Sequence, residues 1–177
     1  MRFRLYPEAK PWWSFNDYAV VLSVMLRLSA RSVLEFGPGS STLALIEGGA
    51  GQIDCCEDED QWFDVYRSRL QDCPPGEGIV TMHRYTWGPV VRIDGVDDRR
   101  YDLALIDGPR DQVRRASVLS YALDRCTHVL VALESAVGSQ VMRDAVAEVS
   151  ALCARPVEWM EDTGPLAGSF ALIGPAC

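Results

Sequence analysis

Acidic residues follow four apolar stretches of this 177-residue chain, and their chemistry suits nucleoside binding and proton transfer. The first is Glu35, which precedes the glycine turn 37–39; the others are Glu57, Asp107 and Glu134. A carboxylate can accept hydrogen bonds from both hydroxyls of a cis-diol, and it can take a proton from a reacting group. Because the carboxyl ends of parallel strands lie at one edge of an open α/β sheet, we expect these residues to share one rim.

The stretch 33–41 has the pattern of a strand, a turn and the first residues of a helix. Glycine has no Cβ and tolerates positive φ, so the backbone N–H groups of such a turn can approach a ligand closely. The helix N-terminus that follows favours negative charge. The residues predicted to contact a ligand here are Gly37, Pro38, Gly39, Ser40 and Ser41.

Glu57 ends a second predicted strand, about twenty residues beyond the turn, where nucleotide-binding α/β folds place a carboxylate on the ribose hydroxyls. We therefore predict Glu57 as a ribose ligand, with Asp58 beside it. The alternative is that the acidic run 57–60 only complements the dipole of the next helix.

The turn resembles motif I of the class I S-adenosylmethionine (SAM)-dependent methyltransferases, in which an acid and a glycine-rich turn follow the first strand. Here the acid is Glu35, and Ser41 stands where many members carry a third glycine. A dinucleotide fingerprint, G-x-G-x-x-G, would need glycine at Thr42, which disfavours an NAD-dependent oxidoreductase. The sequence Y-D-L-A-L-I-D-G-P at 101–109 also resembles the fourth strand of many small methyltransferases.

The resemblance runs from about Arg31 onward and implies a Rossmann-like, doubly wound α/β fold. Its mostly parallel sheet of about seven strands would close with a C-terminal antiparallel pair. The implied cofactor is SAM, and the implied reaction is methyl transfer to a small-molecule acceptor. Asp107 would contact the cofactor and serve as the base, and His83 would contact the adenine edge. The alternative is a binding or assembly protein that keeps this fold without turnover.

Arg110 and Glu134 are predicted to contact the acceptor, Arg110 through an anionic group. Asp107 and Glu134 could instead share Mg²⁺. Two carboxylates provide few ligands for this ion, so no metal is predicted. Arg110, Arg114 and Arg115 could together hold that anionic group, and the alternative is a solvated helix face with an ion pair from Asp111 to Arg115.

Length and composition predict a single domain, with an arm and helix at 1–30 and the core at 31–177. Trp12 or Trp13 in the arm could cover the ligand. The segment 84–100 carries turn signals rather than a helix, and a hairpin there could cover a substrate or pair two subunits as a homodimer. The predicted strands are 33–36, 52–56, 78–83, 101–106, 128–133, 156–160 and 169–173, and the predicted helices begin near 17, 40, 62, 112 and 136.

The net charge of −8 argues against a general nucleic-acid or anionic membrane surface, since affinity for phosphates comes mainly from Lys and Arg. No apolar run is long enough to suggest an export signal or a membrane span. The six cysteines have no C-x-x-C spacing, which favours reduced thiols in a cytoplasmic protein.

Overall fold

The computed structural model describes residues 15–71, 79–86, 91–93, 95–109, 112–133, 139–160 and 169–176. Within them the helices are α1 (Phe15–Leu28), α2 (Ser40–Glu47), α3 (Asp60–Gln71), α4 (Gln112–Arg125) and α5 (Ser139–Cys153). The strands are β1 (Ser32–Phe36), β2 (Gln52–Glu57), β3 (Val80–Arg84), β4 (Tyr101–Ile106), β5 (Cys126–Leu133), β6 (Val157–Met160) and β7 (Ser169–Ile173). The predicted arm, with Trp12 and Trp13, lies outside the described residues.

The seven strands form one sheet in the order β3-β2-β1-β4-β5-β7-β6. The first five are parallel, and β7 pairs antiparallel with both β5 and β6. This confirms the predicted mostly parallel sheet with its antiparallel pair. The strand order reverses between β1 and β4, which is where open α/β sheets form their ligand crevice.

Alternation along each strand divides the core between the two faces of the sheet. On one face Val33 packs with side chains of α1 and α2 such as Met25 and Leu45. On the other face Phe36 packs with side chains of α4 and α5 such as Leu119. Because both faces are covered, β4 and β5 have the nearly continuous apolar runs from which they were predicted. None of the described helices has both the length and the apolar character that crossing a bilayer would require.

The segment between β3 and β4 contains no helix among its described residues, as predicted. An isolated antiparallel bridge joins Thr86 to Arg92, in the region where a small hairpin was expected. Tyr85, Ile93 and Val96 pack into the same core as α4 and α5. The segment therefore covers part of the sheet face that a linking helix would otherwise cover.

Asp54, on β2, lies at the centre of a polar cluster that connects the segment between β3 and β4 to the sheet. Its side chain is fully buried and accepts a hydrogen bond from the Tyr101 hydroxyl at 2.8 Å and another from Arg99 at 2.9 Å. His83 Nε2 lies 2.7 Å from Asp54 Oδ1, and Gln52 adds an amide donor at 2.7 Å. Burial alone would raise the pKa of Asp54, but hydrogen bonds from His83, Tyr101 and Gln52 outweigh it and lower this pKa to about 2.

Four cysteines lie within the described residues, and all four are free thiols. Cys55, Cys56 and Cys126 are buried and Cys153 is exposed. Burial raises the pKa of each of the three buried thiols above the usual range, which keeps them protonated.

Candidate functional site

Backbone hydrogen bonds tie the end of β1 and the turn after it to the ends of both neighbouring strands. Gly37 N–H donates to the Cys56 carbonyl of β2 at 3.1 Å. The N–H groups of Asp107 and Gly108 both donate to the Phe36 carbonyl, at 3.0 and 2.9 Å. The ends of β2, β1 and β4 are thus fixed side by side at the point where the strand order reverses.

Gly37 and Gly108 allow these two turns to touch. Gly37 has φ of +81°, and a Cβ built on it would lie 2.7 Å from Gly108 N. A Cβ on Gly108 would lie 3.0 Å from Gly37 Cα. Only glycine fits this approach, since a side chain at either position would push the two turns apart.

Glu35 lies behind the turn and is fully buried. It accepts hydrogen bonds from Ser41 Oγ at 2.6 Å and from Thr42 Oγ1 at 2.7 Å, and the Cys55 thiol lies 3.0 Å away. Thr42 Oγ1 in turn accepts from Gly39 N–H at 3.1 Å. Glu35 therefore fixes the turn to the first residues of α2, and its direct contact with a ligand stays a prediction.

Burial raises the pKa of Glu35 to about 7, although the Ser41, Cys55 and Thr42 donors oppose the shift. The carboxyl group titrates near 4.5 when unperturbed, so its contribution to stability is complete below that pH and is lost as the pH rises through about 7.

We expect the free energy of unfolding to fall between pH 5 and pH 8, by on the order of 3 kcal/mol from Glu35. The variant Glu35→Gln should flatten much of this decline, whereas Glu148→Gln, at an exposed site on α5, should leave it unchanged. Urea unfolding followed across this range measures the effect. An equally steep decline in Glu35→Gln would contradict the assignment.

Glu57 ends β2 beside the turn and is 8% exposed. Its Oε1 accepts the backbone N–H groups of Asp58 and Glu59, both at 3.0 Å. No described residue donates a hydrogen bond to its Oε2. Burial, with the nearby charge of Asp58, raises the pKa of Glu57 to about 7. One carboxylate oxygen thus stabilises the start of the next helix, in line with the alternative reading, and the other is available to a ligand.

Asp58 lies on the same rim, with its side chain 9% exposed. Arg114 Nη1 of α4 lies 3.7 Å from Asp58 Oδ2, and the Tyr85 hydroxyl also hydrogen-bonds this carboxylate. Asp58 therefore connects the end of β2 with α4 and with the residues after β3.

Asp107 follows β4, and its side chain is exposed next to the glycine turn. His83 lies on β3 and pairs with Asp54, so its predicted contact with an adenine edge stays a prediction. Arg110 and Glu134, the predicted acceptor contacts, lie outside the described residues.

Within the parts of the chain that are described, no three His, Cys, Asp or Glu side chains lie close enough together to hold a metal ion.

The prediction for Arg115 was wrong, because this side chain is fully buried instead of lying on a solvated face. Its guanidinium donates to the carbonyls of Pro109 at 2.8 Å, Ala132 at 3.1 Å and Asp107 at 3.1 Å. The signal that could have revealed it is helical spacing, since Arg115 shares its face of α4 with the buried residues Val118, Leu119 and Ala122.

No protein-family model matches the sequence, and no curated protein matches it. The structure is nevertheless similar to solved methyltransferases. The O-methyltransferase TomG from Streptomyces achromogenes, solved in complex with SAM, has a TM-score of 0.73 and 16% identity over 99% of this chain and 86% of that one.

An O-methyltransferase from Bacillus cereus was solved in complex with SAH (S-adenosylhomocysteine). It has a TM-score of 0.70 and 15% identity over 92% of this chain and 82% of that one. The precorrin-6y C5,15-methyltransferase from Geobacter metallireducens has a TM-score of 0.70 and 18% identity over 94% of this chain and 93% of that one. With its strand order and terminal antiparallel pair, the chain has the fold of the class I SAM-dependent methyltransferases.

Proposed function

We propose that this protein is a SAM-dependent methyltransferase that acts on a small-molecule acceptor. The observation that carries the proposal is the arrangement at the strand reversal. There Gly37 of the turn 37–39 is hydrogen-bonded to the end of β2, and Phe36 just before it accepts from the turn after β4. Glu57 is a buried residue, and no described residue donates a hydrogen bond to its Oε2. The fold likeness supports it, since similar proteins were solved with SAM or SAH.

The residues present fit the parts of such a cofactor. Glu57 Oε2 would accept the ribose hydroxyls, and Asp58 lies next to it. The turn 37–41 and the N-terminus of α2 would contact the amino-acid end, where backbone N–H groups suit its carboxylate. When bound, SAM supplies a methyl group that its sulfonium already activates.

Asp107 would orient the acceptor beside the cofactor and take its proton, if the acceptor is a hydroxyl or a protonated amine. Arg110 and Glu134 are proposed to contact the acceptor. A small molecule is favoured over nucleic acid because the chain carries a net charge of −8.

The variant Glu57→Gln is expected to weaken binding of S-adenosylhomocysteine (SAH) about 10- to 100-fold, since a hydrogen bond to a charged group contributes roughly 1.5–3 kcal/mol. Titration calorimetry measures this change. The matched control is Glu59→Gln, because Glu59 is exposed and its hydrogen bond to Glu57 comes from the backbone N–H, which this substitution keeps. This control should bind as wild type does.

The same titration separates the alternatives. SAM and SAH are tested directly, with NAD as a competitor, and the complex is then assayed with a panel of small hydroxyl and amine acceptors. Displacement by NAD would favour an oxidoreductase, and tight SAM binding without turnover would favour a binding protein. Absence of binding at millimolar SAM would rule out the proposed function.

A further inference from the structure

We infer that Arg115 is a positioning residue that sets the orientation of Asp107 toward the cofactor, which Asp107 is predicted to contact, and toward the acceptor. The inference rests on the proposed function, because Asp107 has this role only if the protein binds SAM. Arg115 itself is not proposed to contact the ligand. Arg115 is among the largest fully buried side chains of the described residues, and its contacts lie at the ends of β4 and β5.

The three nitrogens of the guanidinium each serve a different carbonyl. Nε donates to Pro109 and Nη2 to Asp107, both in the turn after β4. Nη1 donates to Ala132, near the end of β5. One side chain thus connects the turn after β4 with the end of β5.

Asp107 is restrained on both sides of its Cα as a result. Its N–H donates to Phe36 at 3.0 Å, and its carbonyl accepts from Arg115 at 3.1 Å. Since the Asp107 side chain is exposed, the direction of its Cα–Cβ bond is set by these backbone contacts more than by packing. A shift of about 1 Å at such a residue is enough to impair positioning of a substrate.

Arginine is required for this geometry because its planar guanidinium presents donors in several fixed directions. A lysine ammonium would sit at a single point and could not reach all three carbonyls in the same way. The variant Arg115→Lys therefore keeps the charge and much of the volume while it releases part of the turn.

The experiment is a double-mutant cycle between Arg115→Lys and Asp107→Ala, with SAH binding as the readout. We expect Arg115→Lys to weaken SAH binding about tenfold when Asp107 is present and less than twofold when Asp107 is replaced. Arg125→Lys is the matched control, because Arg125 also donates to carbonyls from α4, those of Asp97 and Tyr121. It should lower stability without changing SAH binding.

Equal weakening in both Asp107 backgrounds, or no weakening in either, would overturn the inference and leave a purely structural role. Should Arg115→Lys fail to fold, Arg115→Gln is used in the same cycle under the same criteria. If the wild-type protein does not bind SAH, the proposed function fails and this inference with it. Binding by wild type together with an additive cycle would refute the positioning role alone.

Discussion

Gly37→Ala is expected to lower the free energy of unfolding by at least about 3 kcal/mol and to weaken SAH binding at least about 100-fold. Two costs add at this position. The φ of +81° is unfavourable for any residue with a Cβ, and that Cβ would lie 2.7 Å from Gly108 N. Because the neighbour is backbone, relief requires the two turns to separate, which would open the proposed cofactor site.

Variants at two other glycines allow the cost of the positive φ and the cost of the close contact to be measured separately. Gly49 has φ of +92° but only a side-chain atom of Arg31, 3.4 Å from the built Cβ. Gly51 has no positive φ, and its built Cβ would lie 3.7 Å from the nearest atom. Gly49→Ala should therefore cost about 1–2 kcal/mol, and Gly51→Ala should be neutral or slightly stabilising. Neither should change SAH binding.

Chemical denaturation and SAH titration of the three variants provide the comparison. If Gly37→Ala costs no more than Gly49→Ala, the contact between the two turns is not as close as described. If Gly37→Ala is destabilised but binds SAH as wild type does, the turn does not form part of the ligand site.

The second large effect is expected from Asp54→Ala, which should destabilise the protein by about 3–5 kcal/mol at pH 7. The loss leaves the Tyr101 hydroxyl without its buried acceptor and the Arg99 guanidinium without its carboxylate partner. We take the lower end as the expected value, because Arg99 is 46% exposed and water can solvate it. Asp144→Ala, on an exposed site of α5, should change stability by less than about 0.5 kcal/mol.

The pH dependence distinguishes Asp54 from Glu35, because the two shifts have opposite signs. The pKa of Asp54 is about 2, below its usual 3.8, so its contribution is present above pH 3.8 and is lost as the pH falls through about 2. The difference between wild type and Asp54→Ala should therefore shrink by on the order of 2 kcal/mol on acidification. An unchanged difference at pH 2 and pH 7 would contradict the role of the carboxylate charge.

The strands and helices could be predicted because their local signals were strong and agreed with one another. Apolar runs marked the buried strands β4 and β5, and Gly48 and Gly49 marked the end of α2. The lack of a linking helix among the described residues between β3 and β4 was predicted from turn residues at 94–98. In each case the information lay within a few residues of the feature.

The sequence indicated which strand ends meet at the candidate site, but the side-chain contacts there could not be predicted, because many of them join residues far apart in sequence. The hydrogen bonds of Glu35 were not predicted, since its hydroxyl donors are 6 and 7 residues away and its thiol neighbour is 20 residues away. Asp54 gave no local signal, since its partners Arg99 and Tyr101 lie 45 and 47 residues further on. Arg115 was misread because charge was taken as evidence of solvent exposure, although its helical position was apolar.

The insertion of β7 between β5 and β6 also has a consequence for how the domain assembles. Among the described residues, all of the pairing on one side of β5, from Val129 to Leu133, comes from residues 169–173. While the chain is being synthesised, that apolar edge has no partner until β7 has emerged. The parallel half of the sheet can therefore form earlier, but its open edge remains a place where a nascent chain can pair with another strand.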